Sequence, residues 1–259
     1  MNKRHRVQFP KNELSDSDQD ESYFYLHGTS KKRKIKFHDY DEIYQVPGLY
    51  EQIFYDRLKC ISPNKVTSIL ESAIKQSSDN FTELRVLDLG AGNGMMGEEL
   101  KKHGVSRLVG VDIIPEAYDA LIRDRPGVYD AYYVEDFCAL SKEKKEEIES
   151  WQCDCMVTVA ALGFGDIPTK AFVNAFNIIS NEGWVAFNIK DTFLDSSDET
   201  GFSKLIRELI FSKYLDVYHI ERYRHRLSVD GEPLHYFAVV GRKNAAISSE
   251  FIESKGIVF

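Results

Sequence analysis

The segment Val86-Leu87-Asp88-Leu89-Gly90-Ala91-Gly92-Asn93-Gly94 constrains this chain more than any other. A short apolar run stops at an acid and enters a loop with glycine at every second position, which reads as a buried strand turning into a helix. Glycines there let the backbone pass close to a bound ligand, where a Cβ would collide with it. Asp112 lies about 20 residues beyond Gly92, after a second apolar run, Leu108-Val109-Gly110-Val111. In a βαβ unit such an acid ends the second strand and faces the ribose hydroxyls of a nucleotide-like cofactor. The spacing therefore predicts an adenosine-bearing cofactor.

Two cofactors fit that outline. Gly92 to Gly97 spells G-x-G-x-x-G, the dinucleotide fingerprint, so a nicotinamide oxidoreductase is one reading. The wider pattern D-x-G-x-G-x-G, from Asp88 to Gly94, resembles the first motif of class I S-adenosylmethionine-dependent methyltransferases. Asp88 separates the two: an acid beside the loop repels a pyrophosphate but suits a cofactor whose charges are a sulfonium and an ammonium. Further stretches resemble the same family in its order. Val111-Asp112-Ile113 is similar to its second motif, Glu135-Asp136-Phe137 to its adenine-facing turn, and Asp154 to Ala161 to its fourth strand. Asn181 to Phe187 is similar to its turn into the fifth strand.

The resemblance covers about residues 37–243 and implies roles for particular residues. Gly90, Ala91 and Gly92 let the loop approach the methionyl part of S-adenosylmethionine, and Asp88 stabilises its cationic end, directly or through the loop. Asp112 takes the ribose diol and Ile113 packs on the adenine. Asp136 accepts from the adenine amino group, Phe137 supplies a backbone N–H, and Ala160 lines the floor near the sulfonium. The product is S-adenosylhomocysteine. Many relatives start with a tyrosine-rich segment that folds over the cofactor; His38 to Tyr44 resembles one and makes Tyr40, Tyr44 and Tyr55 lid candidates. Tyr44 is counted with the cofactor-binding residues.

At 259 residues, with 43% hydrophobic and 29% charged side chains, the chain suits one soluble domain with a further lobe or tail. No apolar run approaches the ~20 residues that span a bilayer. The basic start Met1 to Arg6 precedes no apolar stretch, so a secretory leader is not expected and the location expected is cytoplasmic. Cys153 and Cys155 read as core thiols on one side of a strand, and no cluster has metal-ligand spacing. A net charge of −8 argues against a broad nucleic-acid surface. The run Lys31 to Lys36 is the exception; it reads as a solvated arm beside the acids of Asp16 to Glu21.

The expected organisation is a disordered tail over 1–21, an N-terminal segment and helical lid over 22–78, a methyltransferase core over 79–243 and a tail over 244–259. Within the second unit, Tyr23 to Leu26 and Ile35 to Phe37 can pair as a hairpin. A helix fits Leu49 to Cys60, and Ser62-Pro63 marks the next start, with the serine as N-cap. Strands then alternate with helices at Met95 to Lys102, Pro115 to Arg123, Leu140 to Glu149 and Pro168 to Ile179, the pattern of a parallel sheet covered on both faces. A helix follows over Gly201 to Ser212, and two strand-like runs flank an Asp230-Gly231 turn. The predicted fold is α/β: a seven-stranded, mostly parallel Rossmann-like sheet with a C-terminal antiparallel hairpin and an N-terminal helical lid.

The acceptor has no family signature in the loop after the fourth strand. Ala161-Leu162-Gly163-Phe164-Gly165-Asp166 lacks both the Asn/Asp-Pro-Pro-Tyr/Phe motif of amino-group enzymes and the Pro-Cys of cytosine-C5 enzymes. A small apolar loop suits a small-molecule acceptor. His219, His225, His235 and Asp191 are candidate bases, and none is assigned a catalytic role. Methylation of protein or RNA, and cofactor binding without turnover, are the rival functions; the oligomeric state is left open.

Overall fold

Short apolar strands alternating with amphipathic helices bury both sheet faces only if the sheet is parallel and the helices divide between its sides. The computed structural model, which describes residues 4–10, 22–28, 31–163, 166–194 and 201–257, takes this form. The strands are β1 (Arg6–Gln8), β2 (Tyr23–His27), β3 (Lys32–Lys36), β4 (Arg85–Leu89), β5 (Arg107–Asp112), β6 (Ala131–Val134), β7 (Cys155–Thr158), β8 (Trp184–Lys190), β9 (Leu215–Leu227) and β10 (Pro233–Lys243). The helices are α1 (Tyr40–Tyr44), α2 (Leu49–Glu51), α3 (Ser62–Lys75), α4 (Met95–Lys102), α5 (Pro115–Asp124), α6 (Lys142–Glu149), α7 (Thr169–Ile178), α8 (Phe202–Phe211) and α9 (Ser249–Lys255).

The main sheet has seven strands in the order β6-β5-β4-β7-β8-β10-β9. The first five run parallel, β10 is antiparallel to β8, and β9 is antiparallel to β10. This is the predicted sheet with its predicted hairpin; Gly231, at φ +89°, makes the turn between β9 and β10. Alternation along the strands sorts side chains to two faces. Leu87, Val109, Met156 and Phe187 join Phe172 and Phe176 of α7 and Leu205 and Leu209 of α8 on one side. Val86, Leu108, Val157 and Ala186 join Val66 and Leu70 of α3 and Met96 and Leu100 of α4 on the other. Cys153 and Cys155 are both buried, but against opposite faces, because Cys153 lies before β7 begins and escapes its alternation.

The expected boundaries need three corrections. Arg6–Gln8, assigned to a disordered tail, is a strand paired with β2, since Val7 is buried with Phe24, Ile35 and Phe37; residues 11–21 lie outside the described chain. The hairpin expected there is the β2–β3 pair of a small antiparallel sheet, β1-β2-β3, packed on α1 and α2. That unit ends near residue 61, because the stripe of α3 packs in the main core rather than in the lid. The C-terminal stretch, expected as a tail, packs onto the main core through Ile252 of α9 and Ile257.

Two local expectations also shift. Leu49 to Cys60 is not one regular helix; α2 gives way to a π-helical turn, Gln52–Arg57. A wider turn places residues five apart on one side, and Tyr50 and Tyr55 approach to 6.2 Å between ring centres. Ser62 is not an N-cap: Ile61 takes that position, and the Ser62 hydroxyl goes instead to Tyr223 and His225, at 2.6 Å each. The basic run forms β3, where Lys32 and Lys34 lie over the rings of Tyr25 and Tyr23. No helix among the described residues is long and apolar enough to cross a membrane.

Candidate functional site

The carboxyl ends of β4 and β5 build the site. Where β4 stops, the backbone amides of Gly90 and Ala91 both donate to the Val111 carbonyl at 2.9 Å. The Gly92 amide then donates to Asp112 Oδ2 at 2.8 Å, while Asp112 Oδ1 accepts from the Ile114 amide at 3.0 Å. The acid that ends β5 therefore fixes the glycine loop after β4. Gly90 and Gly92 have φ of +74° and +54°, and a Cβ at Gly92 would lie 2.6 Å from the Tyr44 hydroxyl. Glycine is required there by conformation and by the tyrosine above.

A cleft opens over this loop, closed on one side by α1 and the π-helical turn. Counted out to its open mouth, the space in it is about 1120 Å³. Tyr44, Gly90, Ala91, Gly92, Asp112, Ile113, Asp136, Phe137 and Ala160 all line it, so nine of the ten sequence-predicted residues converge. Asp112 stands at the loop, Ile113 is exposed, and Phe137 is buried. Tyr40 and Tyr55 line the same cleft. Its carboxylates are Asp112, Glu135, Asp136 and Asp166, and among the described lining residues there is no lysine or arginine. Burial pushes the Asp112 carboxyl up, partly offset by the hydrogen bonds it accepts from the Ile114 and Gly92 amides.

Asp88 is the exception. It is buried beneath the loop, is not part of the cleft wall, and accepts from the Tyr129 hydroxyl at 2.6 Å. Burial lifts its carboxyl to about 7, with the Tyr129 hydrogen bond pulling it down and the charge of Asp112 adding to the rise. Of the two routes expected for Asp88, directly or through the loop, its place behind the loop is compatible with the second only: on β4, Asp88 shares the face of Val86 and points into the helix layer. Gly97, last of the dinucleotide-like glycines, packs against Tyr129, where a Cβ would meet the ring at 2.6 Å. That part of the pattern serves packing.

No sequence signal marks the residues that fasten α1 and α2 against the cleft. Glu51 of α2 accepts from Asn93 Nδ2 at 2.8 Å and from Arg125 Nη1 at 2.7 Å, while Arg123 donates to the Tyr44 carbonyl at 3.0 Å. Each contact joins residues far apart in the chain. Tyr132 donates to the Gly92 carbonyl at 2.8 Å and props the loop from below.

A second, smaller chamber adjoins the first and shares His38, Tyr40, Tyr50, Ala160 and Asp166 with it. His38 Nδ1 lies 3.0 Å from each Asp166 oxygen. Phe164 and Gly165 of the loop after β7 lie outside the described residues. Ala160, at φ +60°, is held by Asn188, whose Oδ1 accepts from its amide at 2.6 Å. Asn188 Nδ2 donates to the Tyr223 hydroxyl at 2.8 Å, and Tyr223 and His225 meet at Ser62. Of the candidate bases, only His225 reaches this chamber; burial, then the charge of Arg226, hold it well below its ordinary pKa and so neutral. His219 pairs with Glu221 and Asp191 with Arg222, both exposed and outside the cleft.

A sheet of this order, with an acidic glycine-loop cleft at its carboxyl edge, defines a class: Rossmann-like transferases whose cofactor is cationic. Residues 64–230, over half of the chain, match a family described as a methyltransferase domain. The chain belongs to that family, the class I S-adenosylmethionine-dependent methyltransferases. The structure resembles the N-methyltransferase NodS of Bradyrhizobium japonicum in complex with S-adenosylhomocysteine, at TM-score 0.53 and 13% identity, over 81% of this chain and 98% of that one. It also resembles a protein of Thermoplasma acidophilum, at TM-score 0.51 and 17% identity, over 78% and 98% of the two chains. These likenesses concern the fold. In sequence, 84 residues are 30% identical to protein arginine N-methyltransferase 1 of Saccharomyces cerevisiae, covering 32% of this chain and 21% of that protein.

Proposed function

We propose that this protein transfers a methyl group from S-adenosylmethionine to a small-molecule acceptor. The observation that carries the reading is the charge of the cleft: four carboxylates with no lysine or arginine among the described lining residues. A pyrophosphate needs the opposite, whereas a sulfonium and an ammonium are stabilised by it. In this reading Gly90, Ala91 and Gly92 face the methionyl part, Asp112 binds the ribose, Ile113, Asp136 and Phe137 hold the adenine, Tyr44 covers the ribose side and Ala160 forms the floor. The enclosed second chamber supports a small acceptor.

When bound, S-adenosylmethionine supplies the methyl carbon: an acceptor lone pair forms the new bond to it while the carbon–sulfur bond breaks, leaving its electrons on sulfur as a neutral thioether. What remains for the protein is positioning, exclusion of water and removal of the acceptor's proton. His38 and Asp166 stand on the wall common to both chambers. With Asp166 accepting from Nδ1–H, the imidazole carries its basic lone pair on Nε2, so His38 takes the proton from the acceptor's hydroxyl or amine and Asp166 steadies the resulting imidazolium.

The test combines calorimetry with S-adenosylmethionine, S-adenosylhomocysteine and NADH, and transfer of isotopically labelled methyl to fractionated metabolite, protein and RNA pools. Binding of the two sulfur compounds only, with label in the small-molecule pool, is expected. His38→Asn should lower turnover by roughly 10²–10⁴-fold and leave cofactor affinity within about twofold. NADH binding, or label confined to protein or RNA, would overturn the proposal.

A further inference from the structure

The second chamber is mostly aromatic and apolar, walled by Phe37, Tyr40, Phe54, Leu162 and Tyr236, yet it contains Arg226. This side chain is 5% exposed. Its one hydrogen bond among the described residues is from Nη1 to the carbonyl of its neighbour Leu227, at 2.9 Å. Its guanidinium carbon lies 5.9 Å from the centre of the Phe37 ring. Asp166 is the chamber's one carboxylate among the described lining residues; it is engaged by His38 and forms no ion pair with Arg226.

A buried guanidinium is ordinarily matched by a carboxylate, because removing it from water costs several kcal/mol that only a close counter-charge offsets. Here it is held against a cavity by a single backbone carbonyl. His225 beside it is neutral and supplies no negative charge. The fold thus keeps a cation, with donors to spare, pointing at space where the acceptor enters. A guanidinium presents parallel N–H groups that match the oxygens of a carboxylate or a phosphate ester, and the aromatic walls suit an apolar body.

We infer that Arg226 is the acceptor's anchor, and that the acceptor is a small molecule bearing an anionic group, carboxylate or phosphate ester, on an apolar or aromatic body. This rests on the proposed methyl-transfer reading of the neighbouring cleft. Fixing the anionic end against Arg226 leaves the nucleophilic end to face His38 and the methyl donor across the shared wall.

The experiment uses the full chain loaded with S-adenosylhomocysteine, with thermal shift and calorimetry as readouts. The probes are shape-matched pairs at millimolar concentration: hydroxybenzoates against hydroxybenzamides, and phenyl phosphate against benzyl alcohol. At least one anion is expected to bind about tenfold or more tightly than its neutral partner, and the arm in which this occurs tells carboxylate from phosphate. Arg226→Met should abolish that preference while S-adenosylhomocysteine affinity stays within about twofold. The same variant should melt no lower than wild type without acceptor, since it removes an uncompensated buried charge; an arginine kept for folding would melt lower when replaced. Absence of preference for any anion, persistence of preference in Arg226→Met, or a lower melting temperature for that variant would overturn the inference. Failure of the wild-type protein to bind S-adenosylhomocysteine would instead overturn the methyl-transfer reading.

Discussion

Asp112 Oδ2 accepts a hydrogen bond from the Gly92 amide at 2.8 Å, so one carboxylate both closes the glycine loop and faces the cleft. Asp112→Ala should weaken S-adenosylmethionine binding by about 1.5–3 kcal/mol through lost charge-assisted hydrogen bonds. Asp112→Asn keeps an acceptor for the Gly92 amide and should retain more of the wild-type stability than of its affinity. Calorimetry with thermal melts checks both; unchanged affinity in a folded Asp112→Ala variant would remove this residue from the site.

Gly92 and Tyr44 make a steric pair. Gly92→Ala should lose cofactor affinity, because its Cβ would meet the Tyr44 hydroxyl at 2.6 Å and the next atom, Cζ, at 3.5 Å. Its positive φ adds about 1–2 kcal/mol of strain. Adding Tyr44→Phe removes the clash but not the strain, so the double variant should recover part of the loss. A double-mutant cycle with strictly additive effects would show that the tyrosine does not confine the loop.

Asp88 gives the fold a pH dependence of definite sign. Its carboxyl titrates at about 7 when folded and near 3.9 when unfolded. Between those values the folded chain holds the extra proton, so stability contributed at this site falls as pH rises and is lowest above about 7. Asp88→Asn still accepts from Tyr129 and should melt higher than wild type at pH 8, with a flatter profile across the acidic range. Melting curves that keep the wild-type slope in this variant would rule out Asp88 as its source.

Asn188 links Ala160, on the wall of the cleft, to a buried polar cluster. Asn188→Leu leaves the Ala160 amide without its side-chain partner and removes a donor from Tyr223, and should destabilise the protein by about 1–3 kcal/mol. Turnover should fall more than cofactor affinity, since Ala160 borders both chambers. Denaturant unfolding and steady-state kinetics provide the comparison; wild-type stability would mean that the freed amide finds water.

The cleft was largely legible because many of its residues sit at the ends of strands, and strand ends are announced by local pattern. Gly90, Gly92 and Asp112 are fixed by where β4 and β5 stop. Tyr40 and Tyr44 were readable as aromatics before a Pro-Gly turn. His38 and Asp166 were visible as residues but not as a pair, since 128 positions separate them. Glu51 and Arg125, 74 apart, show the same limit. The π-helical turn was hidden for another reason: Leu49 to Leu58 carries an ordinary helical stripe, and packing of Tyr50 and Tyr55 toward the cleft decides the wider turn.

By itself, the sequence determined the strand–helix alternation, the antiparallel hairpin finish, the glycine loop and the acid opposite it. Each follows from hydrophobic period, turn chemistry or steric need within a few tens of residues. Only the tertiary structure decided that Asp88 lies behind the loop, that Ser62 abandons helix capping for Tyr223 and His225, that β1 and α9 join ordered cores, and that Arg226 is buried beside a chamber with no carboxylate paired to it among the described residues. These depend on which surfaces meet when the sheet closes, and burial makes each polar side chain depend on partners that no local pattern specifies.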